Sequence, residues 1–200
     1  MDNFYPAFNE ADKILDRRPI SIVVPTYRET DETLFLCKYK LGVAFPNCEI
    51  LFIENYAKIG WALKKGIVES KNELIFKTGA DLPLGTSFIQ WALDFADKFD
   101  FIYASKHVEN AINNRPLSRR ILSWAHTKYW GLYVKDISDF TCDKMYRKST
   151  IEPLLNNTSD SNRFELDICR KVIKNHLRIK ELPAFCNDRR NRGIVPFLKS

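Results

Sequence analysis

The run ISIVVP, residues 20–25, is apolar throughout and rich in β-branched side chains. Such a stretch suits a strand buried on both faces, which in practice means an interior strand of a parallel sheet. It does not stand alone. Residues 31–45 read as a helix, EILFIE (49–54) as a second strand and GWALKKGIVESK (60–71) as a second helix. ELIFK (73–77), TSFIQWALDFADKF (86–99) and DFIYAS (100–105) continue the alternation as strand, helix and strand. A β-α-β-α-β-α-β order predicts an α/β fold with a mostly parallel central sheet flanked by helices. Ligands of such sheets bind beyond the carboxyl ends of the strands. Here those ends are residues 26–29, 54–55, 78–81 and 105–106, and polar groups collect at all four.

The second half is less regular. SRRILSWAHTKYWGLYV (118–134) reads as an aromatic-rich helix, and DISDFTCDKMYRK (136–148) as a polar turn entering a short strand. Residues 162–175 form a further helix and RIKELP (178–183) a further strand. Trp124, Tyr129 and Trp130 suit a lipid interface, but packing of their helix on the sheet is the stronger expectation. No linker, repeat or low-complexity segment breaks the chain of 200 residues, which is one domain's worth.

Charge narrows the partners. The net charge is +6, with the excess in the second half, at Arg115, Arg119, Arg120, Lys144, Arg147, Lys148, Arg189, Arg190 and Arg192. That field favours phosphates, nucleotides or acidic lipid head groups. It is modest and carries no recognition motif, so nucleic acid is not an expected partner. The five scattered cysteines have neither C-x-x-C spacing nor a nearby histidine, and read as reduced thiols of a cytoplasmic protein. Residues 1–19 lack an apolar core, so no signal peptide is expected. No apolar run approaches the roughly 18 residues that span a bilayer, so any membrane association would be peripheral.

Taken together, several motifs resemble those of inverting family-2 glycosyltransferases of the GT-A fold, closest to dolichol-phosphate mannose and glucose synthases. SIVVPTYRET resembles the first-strand signature that usually ends Thr-Tyr-Asn-Glu. GWALKKGIVESKNELIFKTGADLP resembles the helix and strand that run into Asp-x-Asp-Leu. FIYASKHVEN resembles a Gly-Ser-Arg-Tyr segment, and RRILSW the helix start that follows it. DFTCDKMYRK loosely resembles an Asp-x-Thr-x-Gly-Phe-Lys loop, and residues 164–193 the late helix, the Glu-x-Pro strand and an Arg-x-x-Gly motif. The chain departs from the family at three places. Gly79 stands where the first aspartate of Asp-x-Asp would be. Glu54-Asn55-Tyr56-Ala57 replaces Asp-Asp-x-Ser, and about five residues stand where the family has a further strand-helix unit.

The resemblance implies a single-domain GT-A (nucleotide-diphospho-sugar transferase) fold over residues 1–200. Residues 1–19 would be an extension, 20–105 the nucleotide-sugar half, and 106–200 the acceptor half with a basic tail. It implies transfer of a hexose from a GDP- or UDP-linked sugar to a polyprenyl or dolichyl phosphate with inversion. Donor contacts fall to Pro25, Thr26, Tyr27, Glu29, Glu54, Asn55, Gly79, Ala80, Asp81 and Arg190. A divalent cation, Mg²⁺ or Mn²⁺, would be held by Asp81, with the arginine forks sharing its work on the diphosphate. Gly79 would let backbone approach the phosphates. Lys106, Arg120 and Ser123 would hold the acceptor phosphate, which is already ionised and needs no strong base. Catalysis would thus rest on Asp81, Lys106, Arg120 and Asp139. Two alternatives stay open: transfer to a glycan or protein hydroxyl, with Asp139 or Asp143 as base, and a binding or regulatory protein that has lost turnover. For the loop motif, Asp139 with Thr141 is the preferred match. The acceptor would be reached at the cytoplasmic membrane face, directly or through a small membrane partner.

Overall fold

The computed structural model describes residues 18–54, 58–131, 134 and 136–186. Strand β1 (Ile20–Thr26) is almost wholly buried at the sheet's heart. It is flanked by β2 (Glu49–Glu54) and β3 (Leu74–Lys77), both parallel to it. β4 (Phe101–Ser105) and β7 (Ile179–Pro183) also pair in parallel. The order across the sheet is β2-β1-β3-β6-β4-β7. β6 (Lys144–Arg147) runs antiparallel between β3 and β4. Sequence reading anticipated a short strand there but not its direction or its central place.

Both faces are covered because successive strand side chains point to opposite sides. Ile22, Val24, Phe76, Ile102 and Met145 pack on the face shared with α1 (Asp31–Ala44) and α3 (Gly85–Leu93). Val23, Ile75, Phe101, Tyr103 and Tyr146 pack on the face shared with α2 (Ile59–Glu69) and α6 (Phe164–Lys174). Thr30 caps α1, accepting the Thr33 N–H at 3.2 Å, and Asp31 and Glu32 complement the helix dipole. α2 lies close against β1. A Cβ on Gly66 would stand 2.3 Å from Val23 Cγ1, so this contact requires glycine. α3 stops short of the predicted residue 99, because the chain tightens into turns at Phe95, Ala96 and Lys98.

Three further elements complete the chain. α4 spans Leu117–Gly131, α5 spans Lys148–Ile151, and β5 (Ile112–Asn113) pairs with β8 (Phe185–Cys186). Arg178 fixes the start of β7 on β4, its Nε and Nη2 donating to the two Asp100 oxygens at 2.9 and 2.7 Å. Among the described residues no helix is long and apolar enough to cross a membrane.

Charge is buried beneath the sheet's carboxyl edge. Glu165 of α6 forms ion pairs with Lys77 of β3 at 2.8 Å and Lys144 of β6 at 2.7 Å, all three side chains being buried. Burial would neutralise Glu165, but the two ammonium groups hold its carboxyl below the ordinary range. Burial likewise acts against charged Lys77, and Glu165 with Asp143 outweighs it. Glu165→Gln is expected to cost about 3–5 kcal/mol in urea denaturation, since two buried cations lose their counter-charge. Replacing all three with Met, Met and Leu should recover most of that loss, because apolar groups of similar volume leave no unpaired charge.

Candidate functional site

The polar edge anticipated from the sequence is where the loops meet. β1 ends at Thr26, whose register partner is Glu54 at the end of β2. Tyr27 follows, exposed, with the Arg28 guanidinium 5.1 Å from its ring centre. Arg28 itself takes a left-handed backbone, φ 54°, a conformation non-glycine residues adopt at a cost of about 1 kcal/mol. Pro25 and Glu29 are partly exposed beside them. Asn55 and Arg190 lie outside the described residues.

Beyond β3, the Thr78 N–H donates to Val23 O, so the chain leaves the sheet still tied to β1. Two successive turns follow, Leu82 N–H to Gly79 O at 3.0 Å and Gly85 N–H to Leu82 O at 2.9 Å. Leu82 (φ 46°) and Gly85 (φ 71°) both take positive φ there. Ala80 is buried and anchors the turn in the core, while Asp81 is exposed. The Asp81 carboxylate folds back over Gly79, where an added Cβ would stand 2.7 Å from Oδ1. The missing side chain at 79 is therefore the space that the remaining carboxylate occupies.

β6 begins at this same edge because it runs antiparallel, and it brings the loop 136–143 in beside β4. Asp139 is fully buried and both oxygens are engaged. Oδ1 accepts the Thr141 N–H at 3.0 Å and the Thr141 hydroxyl at 2.8 Å. Oδ2 meets Lys106 Nζ at 2.7 Å and the Cys142 thiol at 3.3 Å. Lys106 Nζ also reaches Cys142 Sγ at 2.6 Å. Despite burial, Lys106 and the Thr141 donors hold the Asp139 carboxyl far below its ordinary value. Lys106 is held above its own, the charges around it outweighing its burial. Asp143, by contrast, is pushed up by burial while accepting the Thr78 hydroxyl at 2.9 Å. The loop is pinned from below, since Lys144 Nζ donates to the carbonyls of Phe140 (2.7 Å) and Cys142 (2.9 Å).

Further cations act on the neighbouring His107. Burial first, then Lys106, Arg115 and Lys128, depress His107 against the pull of Asp139. Arg115 Nε donates to Asn113 Oδ1 at 2.9 Å, while its buried Nη2 has no hydrogen-bond partner among the described residues. Arg120 is exposed on α4 and Ser123 half-buried. Among the described residues no hydrogen bond or ion pair links either side chain to Lys106. His107, Arg115 and Lys128 were missed as site residues. Arg115 was visible only as one member of a basic cluster, and the loop that brings them together is a tertiary contact. The only sign along the chain was basic residues close on both sides of a helix start.

Among the described residues no three His, Cys, Asp or Glu side chains gather as a metal cluster. Asp81, one exposed carboxylate at the sheet's carboxyl edge, still fits Mg²⁺ or Mn²⁺, which are often held by one or two carboxylates plus substrate phosphates.

The fold, a mostly parallel, helix-flanked sheet with one antiparallel strand among the described residues, is shared with solved structures. Among solved structures, glucosyl-3-phosphoglycerate synthase from Mycobacterium tuberculosis, in complex with Mn²⁺, UDP and glucosyl-3-phosphoglycerate, shares this fold. Its TM-score is 0.60 at 12% identity, covering 98% of this chain and 81% of that one. The bifunctional IspDF of Campylobacter jejuni (TM-score 0.47, 11% identity, 84% of this chain, 50% of that one) also matches. So does TarS of S. aureus (0.43, 14%, 83% and 35%). No family profile and no curated protein sequence matches the chain.

The ion pair carries a pH signature. The folded carboxyl of Asp139 lies below its unfolded value, so its stabilisation is complete above the ordinary carboxylate range, near pH 4, and is lost as pH falls through it. Asp139→Asn is expected to lower the melting temperature at pH 7 and to flatten its decline on acidification. An unchanged acid slope in calorimetric scans would contradict this.

Proposed function

We propose that this protein transfers a hexose from a UDP- or GDP-linked sugar to a polyprenyl or dolichyl phosphate, with inversion. The observation that carries the reading is the Lys106–Asp139 pair at the sheet's carboxyl edge, with Arg115 and Lys128 close enough to act on the adjoining His107. A carboxylate held so far below its ordinary range is a poor proton acceptor. Chemistry there suits an acceptor that is already ionised, and the orphaned Arg115 Nη2 is a donor for a phosphate oxygen. The fold shared with a UDP- and Mn²⁺-bound synthase supports the donor side.

On this reading Tyr27 stacks on the base, while Glu29, Glu54 and Asn55 contact base or ribose. Pro25, Thr26, Gly79 and Ala80 form the wall against the diphosphate. Arg190 neutralises part of the diphosphate charge. Asp81 would hold the Mg²⁺ or Mn²⁺, which when bound supplies further charge neutralisation to the leaving diphosphate. Lys106 and Arg115, with Arg120 and Ser123, orient the acceptor phosphate for in-line attack on the anomeric carbon. One displacement inverts that carbon. Asp139 positions Lys106 rather than taking a proton. Transfer to a sugar or protein hydroxyl would need a base, and Asp143, with its raised carboxyl, is better suited than Asp139 but is buried.

Calorimetry with UDP and GDP in the presence of Mn²⁺ is expected to detect binding, weakened about ten-fold by Asp81→Ala, which is about 1.4 kcal/mol. Gly79→Ala should weaken it through the displaced Asp81 carboxylate. Binding of neither nucleotide, with or without metal, would leave a protein with the fold and no donor site. In turnover with a short polyprenyl phosphate and a panel of labelled sugar nucleotides, Lys106→Ala and Arg115→Ala are each expected to lose at least ten-fold in kcat/KM. Wild-type rates in both would remove the phosphate assignment.

A further inference from the structure

α4 is built inside out for a helix of a free-standing domain. Among its described side chains Arg119, Ser123 and Thr127 are half-buried, one turn apart, and the adjacent His126 ring packs 5.4 Å from that of Phe140 in the site loop. Its apolar positions face away from the protein. Leu117 is 67% exposed, Ile121 56%, Leu122 47%, Trp124 56% and Tyr129 59%. At helical spacing these five fall on one outward arc of roughly 160°. An outward aliphatic and aromatic stripe over a whole helix is more than scattered surface apolarity, and marks a surface that meets something apolar.

The charges on the segment say what it meets. Residues 115–131 carry Arg115, Arg119, Arg120 and Lys128 and not one Asp or Glu. Two copies docked through this face would set those cations against one another without a carboxylate between them. A bilayer with acidic head groups offers apolar depth for Leu117, Ile121 and Trp124. It offers a head-group level suited to Trp and Tyr, and anions for the lysine and arginines.

We propose that the outward face of α4 docks on an anionic lipid surface, seating the helix in the interface plane beside the Lys106–Asp139 site. The inference deepens the reading above, since a polyprenyl phosphate presents its head group at that level, and it rests on that reading only for its purpose. Docking also explains why a helix that sequence reasoning assigned to core packing keeps Trp124 and Tyr129 out of the core.

Co-sedimentation with phosphatidylcholine vesicles, with and without phosphatidylglycerol and with no acceptor added, tests it. Binding is expected only to the anionic vesicles and should weaken as salt rises. Ile121→Glu/Trp124→Glu should abolish it while leaving the circular dichroism and melting temperature unchanged, because both residues are exposed. Arg120→Gln and Lys128→Gln should each weaken it about five-fold. No binding by the wild-type chain would overturn the proposal. So would equal binding to neutral vesicles, or self-association that Ile121→Glu/Trp124→Glu abolishes in place of vesicle binding. Vesicle binding without turnover on polyprenyl phosphate would support docking and remove the acceptor assignment instead.

Discussion

Glu165 holds two ammonium groups that arrive from adjacent strands running in opposite directions, and much of the upper half of the molecule depends on that clamp. Lys77 closes β3 and Lys144 opens β6, so one carboxylate from α6 fixes where the antiparallel strand enters the sheet. Lys144 then uses its remaining hydrogens on the carbonyls of Phe140 and Cys142. A buried ion triad is a poor source of net stability, because desolvation consumes most of the Coulombic gain. Its use here is positional. Sliding β6 by one residue would carry Lys144 to the opposite face, into the apolar layer of Phe76 and Met145.

The site inherits its geometry from this clamp. With residues 140 and 142 tethered from beneath, Asp139 is held where Lys106, at the end of β4, can reach it. The pair neutralises itself, and its chemical meaning lies in its surroundings: Arg115 and Lys128 add positive charge around a neutral His107, beside a carboxylate whose basicity has been suppressed. The same arrangement accounts for Gly79. The space that a side chain at position 79 would fill is taken by the Asp81 carboxylate.

Local pattern made most of the elements legible. β2 matches its expected bounds, and α1, β3, β4 and β7 differ by a residue at one end, because buried β-branched runs and helical spacing are strong short-range signals. Asp81, Lys106 and Asp139 were legible as candidates through motif order, and they do lie along one edge. Three things were not legible. The direction of β6 depends on partners forty or more residues distant. The fate of the α4 aromatics depends on which face meets the body, and α4 keeps its polar face inward. The enrolment of Arg115 and His107 depends on the β5–β8 pairing, two residues long on each side and too short to carry a pattern.

The sequence by itself determined the α/β layering, the central place of ISIVVP and the polar character of one sheet edge, since these follow from periodicity and the fixed geometry of strands and helices. Tertiary structure alone decided which charges neutralise each other. Lys106 might have been a free cation and Asp139 a free base. Only the path of the loop before β6 brings Nζ and Oδ2 to 2.7 Å, with both side chains buried. Coulombic interaction at that range in a low dielectric resets both groups, and no spacing along the chain encodes a distance between residues 33 positions apart.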